Sequence, residues 1–204
     1  MAARSEATDE MLMVRYQRGD RQAFAELLSR YEAQIYNFSL RQLRQAGNAE
    51  DVTQEVFLRV VQKAAEFKHE ARFSTWLYTI ARNLCIDELR KYSHRRHASL
   101  DQPGPSEGGE RTLGEQVPDL GSRSNVERNA LSSEVQRRIL EAVDELPDEQ
   151  REVFLLRQLA DLPFKEIAAA TGVGENTVKS RLRYALDRLQ QALGEFEEYA
   201  RALR

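Results

Sequence analysis

The stretch FKEIAAATGVGENTVKSRLRYA, Phe164 to Ala185, decides the fold of this chain. Ile167 and Ala168 fall on a short first helix, Gly172 and Val173 mark a turn, and Val178 and Leu182 lie one turn apart on a second helix. A helix-turn-helix needs these residue types in this order. The small Ala168 lets two helices cross closely, Gly172 supplies a left-handed turn residue, and Val178 and Leu182 anchor the second helix. Glu175, Asn176, Thr177, Lys179, Ser180, Arg181 and Arg183 are then left on its outer surface and N-terminal end. In a DNA-binding helix-turn-helix such positions face the major groove and the flanking phosphates. An ordinary helical hairpin with a solvated basic face would show the same apolar pattern. Lys179, Arg181, Arg183 and Arg188 outnumber Glu175 and Asp187 there, which favours DNA.

Working outward, Val135, Ile139, Val143 and Leu146 recur at helical spacing before the motif. Pro147-Asp148-Glu149 reads as a helix start, with proline in the first position and acids at the positive end. Val153, Leu156 and Leu159 continue that helix, and the last helix runs to about Leu193. Upstream, composition changes sharply. Ala98 to Ala130 holds Pro103-Gly104-Pro105, Gly108-Gly109, Pro118 and Gly121, with Asp101, Glu107, Glu110, Glu115, Asp119 and Glu127 against Arg111, Arg123 and Arg128. A loop of that length is uncommon inside a compact domain, so it reads as a flexible acidic tether.

The first half is helical again. Phe24, Leu27, Leu28, Tyr31, Ile35 and Phe38 share one face; Val52, Val56, Val60, Val61 and Ala64 form a second stripe; Phe73, Trp76, Leu77, Ile80 and Leu84 form a third. Gly47-Asn48 breaks the first pattern, with Asn48 as cap of the next helix and Glu50 and Asp51 in its first turn. No segment alternates with period two for long enough to argue for a strand. The expectation is an all-α protein: residues 1–97 as one small helical domain, 98–130 as linker and 131–204 as a second.

Composition bounds what the chain does. With 204 residues, 41% hydrophobic and 31% charged, it can build two small cores and is too apolar to be fully disordered. Thirty bases against 33 acids give a net charge of −3, which excludes nucleic-acid binding by bulk charge and leaves a local basic face. A single cysteine, Cys85, excludes an internal disulfide and a cysteine-built zinc site; its spacing places it in the core. No apolar run suits a membrane span, and the N-terminus lacks a signal-peptide core, so a cytoplasmic location without membrane insertion is expected. An enzyme is not expected: there is no Gly-rich phosphate loop or nucleophile setting, and His94 and His97 in a basic segment are a weak metal signal. No cofactor is implied.

The stripe from Phe73 to Asn83 runs into a basic segment where Arg82, Arg90, Lys91, Arg95 and Arg96 face only Asp87 and Glu88. Aromatic rings beside cations are what a single-strand binder needs, since rings stack unpaired bases and cations follow the backbone. Spacing makes Phe73 and Leu77 core; Trp76 and Tyr78 either join that core or show an edge to DNA.

Gly47-Asn-Ala-Glu-Asp-Val-Thr-Gln-Glu-Val-Phe57, Phe73-Ser-Thr-Trp-Leu-Tyr-Thr-Ile-Ala-Arg-Asn83 and the run from Leu146-Pro147 to Leu182, with Gly19-Asp20 to Tyr31 before them, together resemble the extracytoplasmic function (group IV) sigma factors of bacterial RNA polymerase. The order, spacing and tether position agree over nearly the whole chain. The resemblance implies a sigma-2-like helical bundle and a sigma-4-like helix-turn-helix, which together direct core RNA polymerase to −10 and −35 promoter elements, open the DNA and start transcription of a stress or envelope-response regulon. It also implies contacts with the β and β′ subunits and an anti-sigma partner, often membrane-anchored.

Residue by residue, the resemblance places polymerase docking on Asp51, Gln54, Glu55 and Phe57, although residue type alone favours a solvated face for Asp51 and Glu55 and core for Phe57. It places capture of a flipped −10 base on the loop Phe67-Lys68-His69-Glu70-Ala71, with Asn83 at the pocket; a flipped base costs a few kcal/mol to unstack. Arg82, Arg90 and Lys91 suit phosphates better than bases. Reading of the −35 element falls on Lys179, Ser180 and Arg181. There the chain departs from the family: Tyr184-Ala185-Leu186 stands where many relatives carry Arg-Ala-Arg, and Arg183 points about 100° around the helix. Reach is consistent with a polymerase-bound role. The two elements lie roughly 85 Å apart at about 3.4 Å per base pair, while the tether averages about 30–35 Å as a coil. It permits both contacts but cannot hold the domains apart; a scaffold must. The competing expectation is a free-standing helix-turn-helix regulator, which would bind its operator tightly on its own.

Overall fold

The computed structural model describes the backbone of residues 7–100 and 126–202 and the side chains of 7–92 and 136–194. The described residues form eight α-helices and one short 3₁₀ turn, Ala64–Glu66, with no strand among them. Four helices build the first module: α1 (Asp9–Gln17), α2 (Arg21–Leu43), α3 (Ala46–Gln62) and α4 (Phe73–Leu100). Four build the second: α5 (Val126–Glu145), α6 (Asp148–Gln158), α7 (Phe164–Thr171) and α8 (Glu175–Ala202). No helix among the described residues is long and apolar enough to cross a membrane.

Local chemistry sets the boundaries. The Thr8 hydroxyl accepts the Met11 N–H at the start of α1, and the Asp20 carboxylate accepts the N–H groups of Gln22 and Ala23 at the start of α2. Helix α2 ends where Arg44 turns left-handed at φ 59°, so the break precedes Gly47-Asn48. Asn48 therefore does not cap α3; it lies in its first turn and its amide donates to Gln45 Oε1 at 2.8 Å. Pro147 is the cap residue of α6, one place earlier than expected. Gly172 ends α7 at φ 73°, the left-handed residue that the motif requires. Helix α8 runs past Leu193 to Ala202. Helix α4 reaches Leu100 and α5 starts at Val126, so both ends of the expected 98–130 linker are helical; 101–125 lie outside the described residues.

The first core is filled by Leu12, Leu27, Ile35, Phe38, Val56, Phe73 and Leu77, the second by Val153, Leu156, Leu162, Ile167, Val178 and Ala185, all fully buried. Each such large apolar side chain contributes roughly 2 kcal/mol by leaving water. Cys85 is buried too, as expected, and its thiol is pushed up to about 12 by burial. Three stripe positions differ: Val61, Ile139 and Leu159 are exposed at 43%, 37% and 40%. The two modules also touch. Helix α2 lies against α6, and one continuous apolar cluster links both cores.

Candidate nucleic-acid interface

The loop between the 3₁₀ turn and α4 is fixed at both ends. Phe67 is buried, with ring centroids 5.3 Å from Trp76 and 5.9 Å from Phe73. On α1, the Gln17 amide donates to the Ala64 and Phe67 carbonyls at 2.7 and 2.9 Å, and the Glu10 carboxylate accepts the Phe73 N–H at 2.9 Å. Between these anchors Lys68, His69, Glu70 and Ala71 stand exposed, with a turn closed by Ala71 N–H to the Lys68 carbonyl. Gln17 and Glu10 escaped the sequence reading, since nothing local ties α1 to a loop some fifty residues away.

Trp76 is partly buried and packs on the core. Tyr78 presents no edge at all: it is fully buried, edge-on to Phe38 at 5.3 Å, and burial pushes its hydroxyl well above the usual tyrosine range. In this arrangement Phe67 and Tyr78 belong to the core and present almost no surface. Asn83, Arg90 and Lys91 are exposed on α4, the last two in ion pairs with Asp87 at 3.8 Å and Glu88 at 3.2 Å. Arg82 is different. Its Nε donates to Glu152 of α6 at 2.7 Å, and the two side chains are only 16% and 15% exposed.

On α3, Asp51, Gln54, Glu55 and Leu58 follow the helical repeat along one face. Asp51 and Gln54 are exposed, and Glu55 pairs with Arg59 at 2.6 Å. Phe57 is 8% exposed and belongs to the core. Leu58, 54% exposed, and Val61 add apolar surface beside the carboxylates. Helical period alone could have flagged Leu58, which falls four residues after Gln54 and off the buried stripe.

The helix-turn-helix forms as its sequence requires. Val178 is fully buried and Leu182 is 9% exposed, while Glu175, Asn176, Thr177, Lys179, Ser180, Arg183 and Tyr184 are exposed. Arg181 is tied to Glu149 at the start of α6 at 2.5 Å, Lys179 lies over the Phe164 ring at 5.7 Å, and Arg183 lies over Tyr184 at 5.0 Å. The basic groups are thus held close to the helix by a carboxylate and by ring faces.

Residues 27–95 match the family described as Sigma-70 region 2, and residues 136–189 match Sigma-70, region 4. The chain is similar to the ECF RNA polymerase sigma factor SigW of Bacillus subtilis, 33% identical over 86% of this chain and 91% of that one. It is also similar to the ECF RNA polymerase sigma-E factor of Escherichia coli K12, 31% identical over 91% and 96%. Among solved structures, the sigma factor RpoE of Bartonella quintana, in complex with the anti-sigma factor NepR, shares the fold at a TM-score of 0.65, 23% identity and coverage of 84% of this chain and 96% of that one. CnrH, in complex with the cytosolic domain of CnrY, does so at 0.62, 19% identity, 93% and 99%.

Proposed function

This chain belongs to the ECF sigma factors of RNA polymerase, and from that premise we propose how its own residues divide the work of an alternative sigma factor. The α3 face of Asp51, Gln54, Glu55 and Leu58 docks on the clamp of core polymerase, with Phe57 holding the helix from below. The loop Lys68-His69-Glu70 with Asn83 receives a base unstacked from the −10 element. Arg82, Arg90 and Lys91 follow the phosphates of the opened strand. The exposed end of α8, from Glu175 to Tyr184, reads the −35 element. An anti-sigma partner covering the apolar surface of Leu58 and Val61 is part of the same proposal, because such surface beside carboxylates suits a protein partner.

The carrying observation is the exposed loop held between buried aromatic anchors and two α1 side chains, the donor Gln17 and the acceptor Glu10. Unstacking one base costs a few kcal/mol, and only a rim that does not reorganise can return that energy on binding. The test is in vitro transcription with core polymerase on a library of genomic fragments, with DNA binding by the protein alone in parallel. Polymerase-dependent start sites sharing elements about 35 and 10 bases upstream are expected. Specific binding by the isolated protein with no new transcripts would overturn the proposal.

A further inference from the structure

We infer that Tyr184 is a specificity residue for the −35 element, selecting a thymine at one edge of that element through its 5-methyl group. The inference deepens the reading of the exposed end of α8 as the −35 reader and rests on it. Around the helix, Val178, Leu182, Ala185 and Leu189 are buried and mark the inward side. At about 100° per residue, Asn176, Ser180 and Tyr184 step along the opposite side and Asp187 follows one turn later, all four exposed. Tyr184 lies nine residues after Glu175, about 13.5 Å along the axis, which matches the roughly 12 Å width of the major groove. Asp187 then sets a carboxylate toward the phosphates at the groove's rim, so Tyr184 is the last residue of the stripe that DNA approaches without repulsion.

Each cation near Tyr184 has a partner within the module, which leaves the base edge to the ring. Arg181 is 20% exposed and pairs with Glu149 at 2.5 Å. Lys179 lies over the Phe164 ring at 5.7 Å and 4.0 Å from Glu175. Arg183 lies over the Tyr184 ring at 5.0 Å, which steadies that ring from one face. The tyrosine itself is 50% exposed. An arginine at this place would fork onto guanine O6 and N7, and a phenol ring has no such fork. It offers apolar surface and one hydroxyl. The hydroxyl both donates and accepts, so it fits several base edges and discriminates little. The apolar surface discriminates more, because in the major groove only thymine presents a matching group, its 5-methyl. A methyl group leaving water for the ring is worth about fourfold in binding.

The test is transcription by core polymerase carrying the full chain, on a promoter from the genomic library randomised over its −35 element, followed by single-base replacements. The expected selection includes one thymine whose replacement by deoxyuridine, which removes only the methyl group, lowers initiation about fourfold. Tyr184→Phe keeps that dependence. Tyr184→Ala initiates equally from thymine and uracil, and Tyr184→Arg prefers guanine at the same position about tenfold. Circular dichroism checks that each variant folds, which the exposure of Tyr184 favours. A selection with no thymine that answers to loss of its methyl group overturns the inference, and so does a methyl dependence that persists in Tyr184→Ala. Indifference of transcription to scrambling the whole −35 element overturns the underlying reading of α8 as well, so the two failures are distinct.

Discussion

Arg151 shows how one side chain sets a corner. It is 1% exposed, and its guanidinium donates to the Leu146 carbonyl at 3.0 Å and to Asp148 at 2.6 Å, pinning the turn between α5 and α6. Burial, followed by nearby Arg44, lowers its proton affinity, yet an arginine stays charged at any working pH. Replacing it by Met leaves the Leu146 carbonyl buried and unpaired, so urea unfolding of Arg151→Met is expected to show a loss of about 3 kcal/mol. Cys85 gives a pH signature. Its thiol ionises at about 8.5 in an unfolded chain and at about 12 here, because burial penalises the thiolate. The unfolded state therefore loses its proton first, and stability is full below the unfolded value and falls as pH rises through that window. Cys85→Ala is expected to flatten that alkaline slope in urea titrations at successive pH values, and native Cys85 to react with an aromatic disulfide only as fast as the core opens.

At the scale of the element, Gly172 is where sequence and structure agree most directly. A Cβ there meets no atom within 4 Å, so the cost of Gly172→Ala is purely the left-handed backbone at φ 73°. Thermal denaturation is expected to show a loss of about 1–2 kcal/mol, whereas Gly174→Ala, with equal space and no positive φ, should lose less, about 0.5 kcal/mol, because Gly174 is the N-cap of α8 and alanine is the poorer cap. The helix-turn-helix was legible because its determinants are local: a small residue, a left-handed turn and two apolar anchors in twenty-odd positions. The α2–α3 break was misplaced for the opposite reason. Gly47-Asn48 looks like punctuation, but the chain turns at Arg44, a residue type that carries no turn signal. The loop's dependence on Gln17 and Glu10, and the exposure of Val61 and Leu159, were hidden because they follow from which helices meet, not from periodicity along any one of them.

At the scale of the molecule, the two modules foreseen along the chain are present, but their cores join through α2, α4 and α6. The sole tryptophan, Trp76, sits in the first module, so its fluorescence reports that half alone while circular dichroism reports both. Leu156→Ala, a fully buried truncation in the second module, should cost about 3 kcal/mol. If the cores are coupled, the Trp76 transition shifts together with the helical signal. An unmoved Trp76 transition beside a split helical one would show two independent units.

Helix α4 runs unbroken for 28 residues, about 42 Å at about 1.5 Å per residue. Its first turn carries the aromatic anchors of the loop, and its far end is where the chain departs toward the second module. It is a stiff lever whose short arm is the loop. A rotation of about 5° at the base sweeps the far end by about 4 Å; conversely, a pull on the departing chain becomes a small, stiff torque on the loop. The tilt of this one helix thereby ties the geometry of the loop to the direction in which the chain leaves the first module.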